Sequence, residues 1–283
     1  MLARVRTYAS FIRFSHTVFA LPFALTGALL AAQTVPLTWG RLGWIVAAMA
    51  MARTAAMGFN RLVDATFDAE NPRTAGRELP RGIVTTREAV ALVVVASVAF
   101  VGTAVMLGPL CFALSPVALA IVFWYSLAKR YTTYTQLFLG LALAVAPVGG
   151  WLAAGGRGGW APWLLALGTA TWVAGFDILY ACEDIDFDRK RGLFSIPARF
   201  GVERALWISR GFHVVTIGSL ASVALVMPLG QLYIAGVVGV AVLLVYEQSL
   251  VRPDDLSRVK QAFDLNGYVG LLYLTTTAAA LYV

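Results

Sequence analysis

Two stretches gather carboxylates in a chain that otherwise carries few charges. The first is Asn60-Arg-Leu-Val-Asp64-Ala-Thr-Phe-Asp68, running on through Glu70, Arg73, Arg77 and Glu78 to Gly82. The second is Asp177-Ile-Leu-Tyr180-Ala-Cys-Glu-Asp184-Ile-Asp-Phe-Asp188, followed by Arg189, Lys190 and Arg191. Each holds polar residues four apart: Asn60, Asp64, Asp68 and Tyr180, Asp184, Asp188. Steps of four keep side chains on one face of an α-helix. The correspondence is a weak internal repeat and predicts two similar helix ends facing each other.

Carboxylates converging at one place repel and do not all stay ionised unaided. A divalent cation resolves the conflict, and Mg²⁺ takes oxygen ligands, often bridging a few carboxylates to substrate phosphates. Two acidic clusters flanking a diphosphate, each holding Mg²⁺, would neutralise a leaving group. The bases Arg73, Arg77, Lys129, Arg189 and Lys190 could pair with further phosphate oxygens. A single D-x-x-x-D reads most simply as a solvated loop whose acids pair locally. Two copies in register, each emerging from an apolar run, favour a site. Glu70 and Glu78 are expected to pair with neighbouring arginines.

Arg53 is the one base inside an apolar run. It precedes Asn60 by seven residues, nearly two turns, which places it on the same helix face and about 10 Å deeper. A guanidinium at such depth faces a cavity or a partner, and its fork suits a carboxylate. Snorkelling, or pairing with Asp177, is the plainer reading.

These residues need a scaffold, and the scaffold is apolar. Of 283 residues 59% are hydrophobic and 13% charged, against roughly 25% charged in a soluble domain. Lipid is therefore the expected solvent. Stretches near 12–32, 41–60, 88–107, 109–128, 135–154, 160–181, 204–227, 230–250 and 264–282 are each long enough to span a bilayer, which takes about 20 residues. The predicted fold is an all-α polytopic bundle of nine transmembrane helices, a single domain over 1–283. Nineteen of the 22 Lys and Arg residues precede or open span 1 or follow the even-numbered spans. By the positive-inside rule that side is the cytoplasm, so the N-terminus and both aspartate stretches are expected there and the C-terminus outside. The net charge of +7 is accounted for by this flanking, and no basic stripe with interleaved aromatics points to nucleic acid. Cys111 and Cys182 stand far apart and offer neither a disulfide framework nor a zinc site.

The sequence resembles the UbiA family of intramembrane aromatic prenyltransferases. Asn60–Asp68 is similar to its N-x-x-x-D-x-x-x-D motif and Asp177–Asp188 to its D-x-x-Y-x-x-x-D-x-x-x-D motif. The likeness extends to Arg73-Thr, Arg77 and Pro80-x-Gly82, to Tyr125-x-x-x-Lys129-Arg130 with Gln136 and Gly140, and to Ser195–Gly201. Arg53-x-x-Ala-x-x-x-Asn60 resembles the 4-hydroxybenzoate and menaquinone-pathway branches. One departure is Arg61, where many relatives carry aspartate. The resemblance implies nine helices around a central cavity and Mg²⁺-dependent transfer of a polyprenyl chain from its diphosphate to an aromatic acid. It implies Asn60, Asp64, Asp68, Asp184 and Asp188 as metal ligands, with Asp177 as an additional catalytic carboxylate. Arg73, Arg77, Lys129, Arg130 and Lys190 would hold the diphosphate, and Arg53, Asn60 and Tyr180 the aromatic substrate.

Two rivals remain at this level. The same fold could serve dihydroxynaphthoate, homogentisate or haem as acceptor. A transporter would also carry intramembrane Asp and Arg, but its sites tend to lie at broken helices near the midplane, whereas these acids sit at helix ends. Arg13, Ser15 and His16 could border the donor headgroup or anchor span 1, and His213 reads as a structural residue.

Overall fold

The structure, a computed structural model, describes residues 2–12 and 19–282. Arg13, Ser15, His16 and the opening of the first expected span lie outside the described residues. The chain forms α1 (Leu2–Phe11), α2 (Leu21–Ala31), α3 (Trp39–Glu70), α4 (Thr86–Leu107), α5 (Pro109–Ala128), α6 (Thr135–Ala153) and α7 (Ala161–Ala181). A 3₁₀ turn at Cys182–Asp184 leads to α8 (Ile185–Arg191), α9 (Ile196–Phe200), α10 (Val202–Val226), α11 (Gln231–Leu250) and α12 (Val259–Tyr282). Among the described residues there is no β-strand, only an isolated bridge between Arg252 and Asp255.

Seven helices are long and apolar enough to cross a membrane: α3, α4, α5, α6, α7 with its extension to Arg191, α10 and α11. Each coincides with one of the expected spans, its ends at most a residue inside them. The other two expectations fall on α2, apolar but 11 residues long, and on α12. The latter carries Lys260, Asp264, Asn266 and three consecutive threonines and is not among the seven. The outward surface is apolar: Val98, Leu225 and Val245 are all exposed, an inversion expected where hydrocarbon replaces water. Pro116 and Pro147 sit inside α5 and α6, and Pro22 sits in the first turn of α2, where a missing N–H costs nothing.

Packing relies on small residues, as it does where lipid removes the hydrophobic drive between helices. A methyl group at Gly150 on α6 would run into the Ala24 carbonyl of α2, and one at Gly140 into the Ala170 carbonyl of α7. Backbone lies against backbone at both crossings. The opposite half is tied by a buried polar relay absent from the sequence reading. Trp172 Nε1 on α7 donates to Asn266 Oδ1 on α12 (2.6 Å), and Asn266 Nδ2 donates to Glu247 Oε1 on α11 (2.9 Å). His213 packs against Gly175, with Gln248 Nε2 3.1 Å from its Nδ1.

Two features of this frame position the site. At 32 residues, α3 is about 48 Å long, well beyond the roughly 30 Å hydrocarbon layer, so its last turns project past it. The second motif is not one continuous helix, because α7 tightens into the 3₁₀ turn before α8 begins. That turn carries Asp184 toward the segment following α3.

Candidate active site

Asn60, Asp64 and Asp68 share a face over the last turns of α3, and both carboxylates are 5% exposed. Asn60 Nδ2 donates to Asp64 Oδ2 at 3.1 Å. Two bases from the end of α5 converge on the same carboxylate: Lys129 Nζ lies 3.1 Å from Oδ2 and Arg130 Nη2 3.1 Å from Oδ1. Arg130 is held in place by donating to the Val63 carbonyl (2.5 Å) and the Ser126 carbonyl (3.2 Å). Asp68 receives Arg77 Nη1 at 2.7 Å on both oxygens.

Helix α3 stops at Asn71, which precedes Pro72, a residue that disfavours helical backbone before it. The stop lets Asn71 work across the site. Its Nδ2 donates to Asp184 Oδ1 (3.1 Å), while its Oδ1 accepts the Arg73 backbone N–H (3.0 Å). Arg73 then forks onto Asp184, with Nε 3.1 Å from Oδ1 and Nη2 against Oδ2, while Nη1 donates to the Tyr180 hydroxyl at 2.5 Å. Burial works against the Arg73 charge, but the hydrogen bond and charge of Asp184 outweigh it and hold the guanidinium above its ordinary pKa. The two motifs thus meet at one end of the bundle.

The second motif is anchored in turn. Asp188 Oδ2 accepts from Ser195 Oγ at 3.1 Å, and the Phe194 N–H donates to the Lys129 carbonyl at 2.8 Å. Gln136 Oε1 on α6 accepts the Ile196 N–H at 3.2 Å. Asp177, on the last turn but one of α7, lies within electrostatic reach of Asp184, Arg73, Lys129 and Asp188. Glu70 pairs with Arg191, whereas Glu78 accepts from Ser10 of α1 and, among the described residues, from no arginine. Lys190 is exposed on α8, and Arg189 is turned to the Ala198 carbonyl, so neither joins the carboxylates.

Arg61, the departure from the family pattern, is 3% exposed. Its Nε donates to the Phe11 carbonyl (3.2 Å), and its Nη1 lies 3.9 Å from Asp68. It therefore links α1 to the first motif. Asn71 and Arg61 are the two site residues the sequence reading did not assign. The Asn-Pro step after Asp68 was the available signal for the first; the second stood out only as a departure from the family motif.

A cavity of about 610 Å³ lies between α2, α3, α4, α5, α6 and α7, within the ~300–1,000 Å³ usual for ligand sites. Its wall is apolar but for Arg53, Tyr125, Ser115 and Cys111. Arg53 lines it about two turns of α3 from Asn60.

Among the described residues no three His, Cys, Asp or Glu side chains already converge to hold a metal. The donors present are hard oxygens, in two groups joined by Arg73. Such a set fits a small cation that takes few protein ligands and fills its shell with water and phosphate oxygens. Five basic side chains touch three of the four carboxylates, which equips the same place for a polyanion.

An acid-and-base cluster at a helix end, with an apolar cavity holding one guanidinium about two turns along the same helix, suits transfer of an apolar group carried on a phosphate. The chain belongs to the UbiA prenyltransferase family, which residues 20–273 match. It is a membrane-embedded prenyltransferase. Among its relatives are 4-hydroxybenzoate octaprenyltransferases of Vibrio campbellii (34% identical over 243 residues, 86% of this chain and 85% of the relative) and Aeromonas salmonicida (35% over 243 residues, 86% and 83%). The apo structure of a UbiA homologue from Aeropyrum pernix K1 superposes with a TM-score of 0.85 at 36% identity, covering 93% of this chain and 96% of that one. A UbiA homologue from Archaeoglobus fulgidus, solved bound to GPP and Mg²⁺, shares the fold with a TM-score of 0.71 at 19% identity, covering 98% and 100%.

Proposed function

We propose that the protein transfers a polyprenyl chain from its diphosphate to the ring of 4-hydroxybenzoate, with Mg²⁺ as cofactor. The observation that carries this reading is the convergence of Arg73 and Asn71 on Asp184, which joins the two aspartate rows above the cavity holding Arg53. The acceptor is supported by the relatives' name and by a guanidinium suited to a carboxylate.

Asn60, Asp64, Asp68, Asp184 and Asp188 would hold Mg²⁺, which when bound supplies charge neutralisation to the departing diphosphate. Arg73, Arg77, Lys129 and Arg130 now pair with carboxylates and exchange onto phosphate oxygens when the donor enters; Lys190 meets it from the rim. The C–O bond of the donor breaks with its electron pair leaving on the diphosphate. The apolar chamber keeps water from the allylic carbon, and the Tyr180 ring faces its positive charge. The ring carbon beside the acceptor hydroxyl, aligned by Arg53 and Asn60, forms the new C–C bond, and its proton passes to Asp177. The whole chain works as one domain of nine spans about a central cavity, with α2 and α12 completing the bundle. The N-terminus and the site face the cytoplasm and the C-terminus lies outside, following the charge asymmetry.

The test offers membranes containing the protein one labelled prenyl diphosphate and a panel of hydroxybenzoate, dihydroxynaphthoate and homogentisate, with and without Mg²⁺. Metal-dependent labelling of 4-hydroxybenzoate is expected. Labelling confined to another acceptor, or full activity in EDTA, overturns the assignment.

A further inference from the structure

Gly149 and Gly150 are adjacent on α6 and do opposite things. Gly150 is required by the Ala24 backbone, whereas a side chain at Gly149 would meet nothing within 4 Å, although the residue lines the cavity. Gly149 is thirteen residues beyond Gln136, which bonds the Ile196 N–H at the aspartate end. That puts it about 20 Å further along the bundle. Across the chamber, Tyr125 and Cys111 line the same wall of α5 fourteen residues apart, so the cavity runs about 21 Å.

Helix ends are clasped together at its far end. Arg41, near the start of α3, donates from Nε to the Ala153 carbonyl (2.5 Å) and from Nη2 to the Leu107 carbonyl (3.0 Å). These are the last residues of α6 and α4, where orphan carbonyls and the negative ends of two helix dipoles favour a cation. Leu107 and Ala153 also line the cavity. One guanidinium thus clasps three helix ends at the far end of the cavity. The sides differ: Leu114 and Val117 of the wall are also exposed on the outer surface.

We propose that Gly149 determines the donor tail length this enzyme uses, by leaving open the deep end of the cavity beside the helix ends that Arg41 clasps. Short tails end before Gly149. Longer ones fill the space beside it and then turn sideways past Leu114 and Val117. This inference rests on the proposed prenyl transfer.

The test replaces Gly149 by Ala, Val, Leu and Phe in the full-length protein in proteoliposomes and compares geranyl, farnesyl, geranylgeranyl and octaprenyl diphosphate. In Gly149→Phe, kcat/KM for the octaprenyl donor should fall about tenfold or more while that for the geranyl donor changes less than about twofold. Equal losses for all donors, or no change for any, overturn the proposal. A second measurement on the unaltered chain does not depend on the variants folding. Alkylation of Cys111, which lines the deep end and is half-buried, should be slowed by octaprenyl but not by geranyl diphosphate. Equal protection by both overturns it too. Product from none of the donors would instead indict the prenyl-transfer reading.

Discussion

Arg73 and Asp184 lie 111 residues apart in sequence and meet in a two-pronged ion pair, its Nε contact at 3.1 Å and its second prong between Nη2 and Oδ2. The same guanidinium sits 4.8 Å from the centre of the Tyr180 ring. One side chain therefore registers the end of α3 against the end of α7. Arg73→Ala should lower kcat/KM for the prenyl donor by about 1.5–3 kcal/mol, roughly ten- to a hundred-fold. Arg73→Lys should recover only part of this, since an ammonium cannot fork. Donor-titrated initial rates on the two variants decide the matter; a lysine variant equal to wild type would mean that only charge is needed.

Arg53 faces the chamber rather than the aspartate rows. Arg53→Ala should raise the aromatic acceptor's KM by at least about tenfold, the value of one charge-assisted contact, and leave the donor's KM within about twofold. Equal changes in both would remove Arg53 from acceptor recognition.

Hard oxygen donors predict dependence on added metal. Chelation with EDTA should abolish turnover and Mg²⁺ should restore it. Asp64→Asn, Asp68→Asn, Asp184→Asn and Asp188→Asn should each cost about a hundred-fold in kcat, the scale of one lost electrostatic contact at a developing charge. Asp186→Asn, an exposed neighbour in the same motif, should change little and serves as the internal control.

Arg61 occupies the place of an aspartate in many relatives, yet restoring the carboxylate should not help. Arg61→Asp would set a second negative charge beside Asp68 and abandon the Phe11 carbonyl. Removing one partner of a buried pair costs about 3–5 kcal/mol. Thermal unfolding in detergent should show a lower Tm, and activity should fall rather than rise. An active, equally stable variant would show that Arg61 is ornamental.

How legible was all this beforehand? The apolar runs disclosed the seven long helices because hydropathy reports the solvent directly. Spacing of four placed Asn60, Asp64 and Asp68 on one face because α3 continues unbroken through them. It said less about the second motif, where α7 tightens before Asp184, a backbone change with no local residue signature. Arg73, Lys129 and Arg130 were expected near phosphate; their ion pairs with Asp184 and Asp64 depend on chain segments brought together by packing. The Trp172–Asn266–Glu247 relay was invisible for the same reason, since each member is a lone polar residue in a different apolar run.

The backbone-to-backbone crossings at Gly150 and Gly140 carry a consequence for access. With no side chains between them, α2, α6 and α7 have no slack to slide or part, because close-packed interiors resist dilation. Whatever admits a water-borne acid must therefore yield elsewhere. The start of segment 71–85 is joined to the aspartates by exchangeable polar contacts, Asn71 and Arg73 to Asp184 and Arg77 to Asp68. An incoming polyanion competes for those very arginines, so the substrate itself loosens the latch on its own doorway.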